Sequence, residues 1–251
     1  MRALAHIRRP LAPDYRLRVP PALQAGIGLG LLVGLAGVIL LVSAPMAPPV
    51  YSLILIAVGL VSGILGGALW FITSRHLREQ ARRRMLGAVA WRGDERVLDV
   101  GCGNGFLLVE IAKHLTTGRA TGIDLWKAEA GAQSSETAWR NAHIEGVHDR
   151  IEIQNVDARG LPFANQSFDV VVSALMLHHA GGNADRDQVV REMLRVLKPG
   201  GTLLLYDMRP MVAAATRSLR ASGLSSIRHT GRILSLLVAS RPPATSDQLP
   251  S

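Results

Sequence analysis

Two apolar runs, Ala22–Ser43 and Val50–Ile72, constrain this chain before anything else, because their 22 and 23 residues include no Asp, Glu, Lys or Arg. As helices rising about 1.5 Å per residue, each reaches roughly 33 Å, enough for a hydrocarbon core of about 30 Å. The pattern predicts a transmembrane helical hairpin over 22–72. The connector APMAPP carries three prolines and no charge, whereas residues 1–22 and 73–84 each hold five Arg against one acidic residue. The positive-inside rule then places both flanks and both termini in the cytoplasm of a multi-pass cell-membrane protein. A cleaved signal peptide competes for the first run, since VSA at 42–44 suits a peptidase. Pro45 would follow that cut and a second span comes at once, so a retained anchor is expected.

Glycine recurs every fourth residue in both runs, at Gly26, Gly30 and Gly34 and at Gly59, Gly63 and Gly67. Such stripes allow close backbone approach, either within the hairpin or in a homodimer. Of the formal charge of +9, the two Arg-rich flanks account for +8. The remainder lacks the basic face that phosphate contacts need, so nucleic acid is not an expected partner.

From residue 85 short β-branched runs alternate with amphipathic segments: RVLDV (96–100), ATGIDL (120–125), RIEIQNVD (150–157), FDVVVSAL (168–175) and GTLLLYD (201–207). FLLVEIAKHL puts Leu107, Leu108, Ile111 and Leu115 on one helical face, and DQVVREMLRVL does the same with Val189, Met193, Leu194 and Leu197. This alternation implies an α/β domain with a parallel sheet covered on both faces. KPGG at 198–201 reads as a helix stop and turn before the fifth strand. The expected organisation is a basic segment 1–21, spans at 22–43 and 50–72, an Arg-rich linker 73–84, a catalytic domain 85–241 and a flexible tail 242–251.

The loop after the first strand, in VLDVGCGNG, spaces its glycines as Gly101, Gly103 and Gly105, with Phe at 106. This is not the G-x-G-x-x-G of a dinucleotide site, and Asp99 would repel a pyrophosphate. An acid there suits a cationic amine instead. Asp124 ends the second strand, where acids accept from ribose hydroxyls, and Asp157 ends the third, where an adenine amine could donate. Leu125, Trp126 and Ala158 offer apolar walls for a ring. Together these positions describe a nucleoside joined to an amino acid without phosphates, and S-adenosylmethionine matches.

VLDVGCGNG, GIDLW, VDARGLPFANQSFDVVVSALMLHH and VLKPGGTLLLYD resemble, in order, the motifs of class I S-adenosylmethionine-dependent methyltransferases, most closely the small-molecule and lipid-directed branch. The resemblance implies a Rossmann-like seven-stranded sheet, mostly parallel with the last strand antiparallel; SSIRHTG and RILSLLVAS suit its final two strands. It implies that Asp99 contacts the methionine amine and that Gly101, Cys102, Gly103 and Gly105 bring backbone against the methionine part. Asp124 would hold the ribose, Asp157 and Ala158 the adenine edge, and Ser173 would sit beside the sulfonium. Cys102, the single cysteine, reads as a small loop residue rather than a nucleophile.

His178 is the catalytic candidate, a general base if the acceptor is a hydroxyl. The family's LHH occurs with quite different acceptors, however, so structural placement outweighs catalysis for this pair. Two adjacent histidines without further ligands at suitable spacing imply no metal site. Residues 126–139 exceed the usual family spacing and suggest a flap or a plain insertion. A membrane-associated acceptor, such as a lipid, quinone or isoprenoid, is the first expectation. A soluble small molecule and a non-catalytic S-adenosylmethionine-binding scaffold are the alternatives.

Overall fold

The computed structural model describes residues 12–15, 21–43, 49–126 and 133–243. The chain divides into two compact units, 17–80 and a larger one formed by 81–251 with the N-terminal 1–16.

The smaller unit contains helix α1 (Pro21–Ser43) and most of α2 (Pro49–Leu86). Both are long and apolar enough to cross a membrane, and their large side chains, such as Leu32, Val42, Ile64 and Leu65, are mostly exposed. Gly59 lies so close to Gly30 and Gly34 that a Cβ there would meet the Gly30 carbonyl at 2.6 Å and the Gly34 Cα at 2.7 Å. The stripes thus meet within the pair at these positions, whereas Gly26, Gly63 and Gly67 have open space beside them. The Arg-rich stretch 73–84, expected as a linker, is instead part of α2. After Ser74 it is built from Arg, Leu, Glu, Gln and Ala with one His, nearly all good helix formers, and has no Gly or Pro to stop it. Nor does the larger unit start at 85, because Ala81, Met85 and Leu86 are already buried in its core.

In the larger unit, strands β1 (Arg96–Val100), β2 (Arg119–Asp124), β3 (Ile151–Asn155), β4 (Phe168–Ala174), β5 (Leu197–Met208), β6 (Ile227–Thr230) and β7 (Leu234–Ser240) form one sheet ordered 3-2-1-4-5-7-6. The β1–β5 pairings are parallel, and β7 runs antiparallel to both β5 and β6. The expected sheet, with its last strand reversed, is therefore present. Strand periodicity sorts the core into two layers. Val97, Val170, Val172, Leu204 and Tyr206 face the end of α2 and helix α3 (Phe106–Ala112). Leu98, Val171, Leu203 and Leu205 face α5 (Asn183–Val196) and α6 (Arg209–Ala221).

Helix α6 had no counterpart in the sequence reading, although Val212, Ala215, Thr216 and Leu219 are buried at helical spacing. The KPGG expectation is also corrected. Leu197 already pairs with Phe168, and the register shifts before Thr202 meets Val170, so Lys198–Gly201 is an irregular part of β5. Gly200 at φ +77° and its N–H bonds to the Arg241 and Pro242 carbonyls hold that irregularity in place.

The strand order reverses between β1 and β4, and such a switch point opens a crevice at the carboxyl ends of the strands. Gly101, Asp124, Leu125, Asp157 and Ala158 of the candidate set line a cleft there.

Candidate active site

Strand β1 delivers Asp99 and then the loop 101–105. Gly101, Gly103 and Gly105 all have positive φ, at +82°, +54° and +79°. At Gly101 the need for glycine is double, because a Cβ would also run into the Met176 side chain. The loop is held by its own N–H groups. Those of Gly101 and Cys102 donate to the Ile123 carbonyl, that of Gly105 to the Cys102 carbonyl, and that of Gly103 to Asp124 Oδ2 at 2.8 Å. Asp124 therefore fixes the loop as well as facing the cleft. Burial raises its pKa, against the opposing effect of the N–H groups of Gly103 and Leu125.

Asp99 is 1% exposed, and its Oδ2 is buried without a hydrogen-bond partner. It caps no helix, since the N-cap of α3 is Gly105 with no side-chain cap. Burial first, and the nearby Asp124 second, push its pKa up to about 8. A backbone hydrogen bond from Leu108 works against that rise. A buried carboxyl oxygen left without a partner is costly, and a cationic amine is the chemistry that relieves it. Cys102 is buried, and burial raises its thiol pKa far above the ordinary range, as does the proximity of Asp99 and Asp124, so no thiolate is available there.

Beside the loop lies a cleft of about 370 Å³, a size that suits a small molecule. Its lining brings together Gly101, Asp124, Leu125, Asp157 and Ala158 of the expected set, with Ile123, Val156 and Met176 as apolar walls. Asp157 is already engaged there. Its carboxylate accepts from the Arg159 guanidinium at 2.6–3.1 Å and from the Arg159 N–H at 2.9 Å, while Arg159 also reaches Asp185. Asp99, Cys102, Gly103, Gly105, Trp126 and Ser173 of that set are not among the lining residues. Trp126 packs on the core layer that contains Cys102 and Leu107. Ser173 is 2% exposed, and its Oγ donates to the Val100 carbonyl at 2.8 Å, tying β4 to β1.

The histidine pair follows β4. His179 lines the cleft, and burial together with its neighbour His178 lowers its pKa. His178 Nδ1 lies 3.0 Å from Oδ1 of Asp207, which is 1% exposed at the end of β5 and also accepts from the N–H groups of Leu177 and Met208. Asp207 is thus the residue that orients His178, a role that no spacing in the sequence marks. The segment 126–139 divides: residues 127–132 of the expected flap lie outside the described residues. Gln133 lies over Gly103, Ser134 N-caps α4 (Ser135–Ile144), and the rest forms its first turn.

This sheet order, with its acid-flanked glycine loop at the switch point, is the arrangement expected of a class I methyltransferase domain. Residues 98–205 match the family model described as "Methyltransferase domain", and the chain carries a domain of this S-adenosylmethionine-dependent family, whose cofactor is S-adenosylmethionine. The chain is 36% identical over 141 residues to the 27-O-demethylrifamycin SV methyltransferase of Amycolatopsis mediterranei, covering 55% of this chain and 48% of that one. It is 30% identical to the ubiquinone/menaquinone biosynthesis C-methyltransferase UbiE of Geotalea daltonii, over 50% of this chain and 51% of the relative. The chain thus spans about half the length of these curated relatives. A crystal structure of a SAM-dependent methyltransferase from Aquifex aeolicus superposes with a TM-score of 0.52 at 20% identity, covering 63% of this chain and 88% of that one. That likeness bears on the fold.

Proposed function

We propose that this protein transfers the methyl group of S-adenosylmethionine to a membrane-associated acceptor of the lipid, quinone or isoprenoid kind, at the cytoplasmic face of a membrane. The observation that carries the reading is Asp99, a buried carboxyl with one oxygen, Oδ2, left without a partner, directly before a positive-φ glycine loop. In this reading Asp99 meets the amino group of the cofactor, and the backbone of Gly101, Cys102, Gly103 and Gly105 follows its amino-acid part. Asp124 accepts from the ribose hydroxyls with the lone pairs that Gly103 leaves unused. Leu125 and Ala158 flank the adenine, and Asp157, steadied by Arg159, accepts at its edge. The bound cofactor supplies an activated methyl on a sulfonium, so positioning of the acceptor is the protein's main task.

His178 is then the proton acceptor when the acceptor group starts protonated. Asp207 holds Nδ1 and leaves Nε2 as the working nitrogen, the carboxylate–imidazole arrangement that fixes a tautomer.

Two observations support the membrane assignment: the outward-facing apolar side chains of α1 and α2, and the lack of charge within both runs. Exposed apolar surface of that extent is unfavourable in water and favourable in lipid. The open stripe of Gly26, Gly63 and Gly67 suits a second copy of the hairpin. A soluble acceptor is the second reading, favoured by the rifamycin-directed relative.

The test is to incubate detergent-solubilised protein with methyl-labelled S-adenosylmethionine and total membrane lipid, following label into the organic phase. Transfer by the wild type that is lost in Asp99→Ala and Asp124→Ala supports the proposal. Cofactor binding without lipid labelling would overturn the lipid acceptor.

A further inference from the structure

We infer that the short arm preceding the first apolar helix is a working part of the cofactor site, and that Asn141 is the positioning residue that couples the two. The inference rests on the reading that loop 101–105 meets the cofactor.

Asn141 on α4 is completely buried, and its amide spans two segments distant in sequence. Its Oδ1 accepts from the Asp14 N–H at 2.7 Å, and its Nδ2 donates to the Asp14 carbonyl at 2.8 Å, an arrangement that imitates a rung of β-ladder. The same Nδ2 donates to the Asn104 carbonyl at 2.9 Å, inside the glycine loop. Both amide protons and the oxygen are thus committed, one set to the arm and the rest to the loop. Around this clasp, the Tyr15 ring meets Phe106 edge-on with centroids 5.2 Å apart, directly after Gly105. Asp14 also lies 3.7 Å from the Arg140 guanidinium. From the other side the Ser134 N–H donates to Asn104 Oδ1 at 3.2 Å.

The consequence follows from where the loop is fastened. The N–H groups of residues 101, 102, 103 and 105 bond to Ile123, Asp124 and Cys102, leaving the Asn104 carbonyl to be held by Asn141. A loop held in its binding geometry spares the ligand the entropy of ordering it. Releasing the arm removes two of the hydrogen bonds that orient Asn141, so the loop loosens and the cofactor binds an ensemble of which only part is competent. By reciprocity, the bound cofactor holds the arm more firmly. In the sequence the arm precedes α1, with residues 16–20 between them.

The experiment uses full-length protein in lipid nanodiscs and measures the S-adenosylmethionine dissociation constant by calorimetry. Deleting residues 2–15 weakens binding about ten-fold and Asn141→Ala about thirty-fold, the scale of one to two lost hydrogen bonds. Deleting only residues 2–9, which leaves Pro13–Tyr15 in place, has no effect. In the wild type, saturating cofactor slows tryptic cleavage after Arg16. Wild-type affinity in the 2–15 deletion, or cleavage after Arg16 indifferent to the cofactor, overturns the inference. Should Asn141→Ala melt at the assay temperature, the deletion and the cleavage assay decide alone. Asp124→Ala separates the two readings: if it binds the cofactor like the wild type, the pocket assignment fails, whereas an inert arm with a dead Asp124→Ala refutes only the coupling.

Discussion

Asp99 gives the sharpest test of how the site works, because its raised pKa links cofactor binding to proton release. A carboxyl titrating at about 8 is roughly nine-tenths protonated at pH 7 in the free protein. An ammonium group beside it favours the carboxylate, so binding expels close to one proton, about 0.9 at pH 7. Affinity then rises nearly ten-fold per pH unit between pH 6 and 7 and levels off above pH 8. The same shift sets the stability of the free protein. The native state retains a proton that the unfolded chain loses above its ordinary pKa of 3.8, so stability falls as pH climbs from about 4 to about 8. The loss amounts to roughly 4 kcal/mol by pH 7 on the linkage relation. Asp99→Asn removes the titration: the free variant melts higher than wild type at pH 7–8, with a flatter pH dependence, yet binds the cofactor more weakly for want of the charge. Calorimetry at pH 7 in phosphate and in Tris, whose ionisation enthalpies differ, counts the protons. Equal apparent enthalpies in both buffers for the wild type, or the same proton count in Asp99→Asn, would refute the reasoning.

The remaining predictions address other residues of the domain. His178→Gln lowers the single-turnover rate about 100-fold, the usual scale for losing a general base, and leaves the cofactor dissociation constant within about two-fold; a change confined to cofactor affinity would remove His178 from proton transfer. Gly101→Ala weakens cofactor binding at least ten-fold, since it combines a strained φ of +82° with a clash at Met176. Ala at Gly146, also at positive φ but in open space, costs only about 1 kcal/mol of stability. Ser173→Ala destabilises by about 1 kcal/mol through the lost bond to Val100 and leaves cofactor affinity unchanged; a weaker affinity would place its hydroxyl at the cofactor instead.

What the sequence made legible and what it hid divide along a physical line. Strand periodicity, the 101–105 glycines and the acids at strand ends are local signals. A parallel sheet with its switch point at β1 and β4 brings local signals to one crevice with no further information. The helical form of the Arg-rich stretch was not legible because charge composition separates a linker from a membrane span but does not tell an extended linker from a helical one. Ser173 shows the opposite limit: a polar residue at a strand end has two partners within reach, the cleft or the neighbouring strand, and only the β1–β4 register decides for Val100. Asp207 and Asn141 were the hardest to see. Each acts on a residue 29 or more positions away through one side chain, Asp207 on His178 and Asn141 on Asp14 and Asn104, and no period or spacing announces such a bond. Both are nonetheless buried polar groups, most of which in a folded protein have their donors and acceptors matched. Long-range polar pairings of this kind position the reacting groups, and the physical rule that exposes them is the accounting of buried hydrogen bonds once the fold is known.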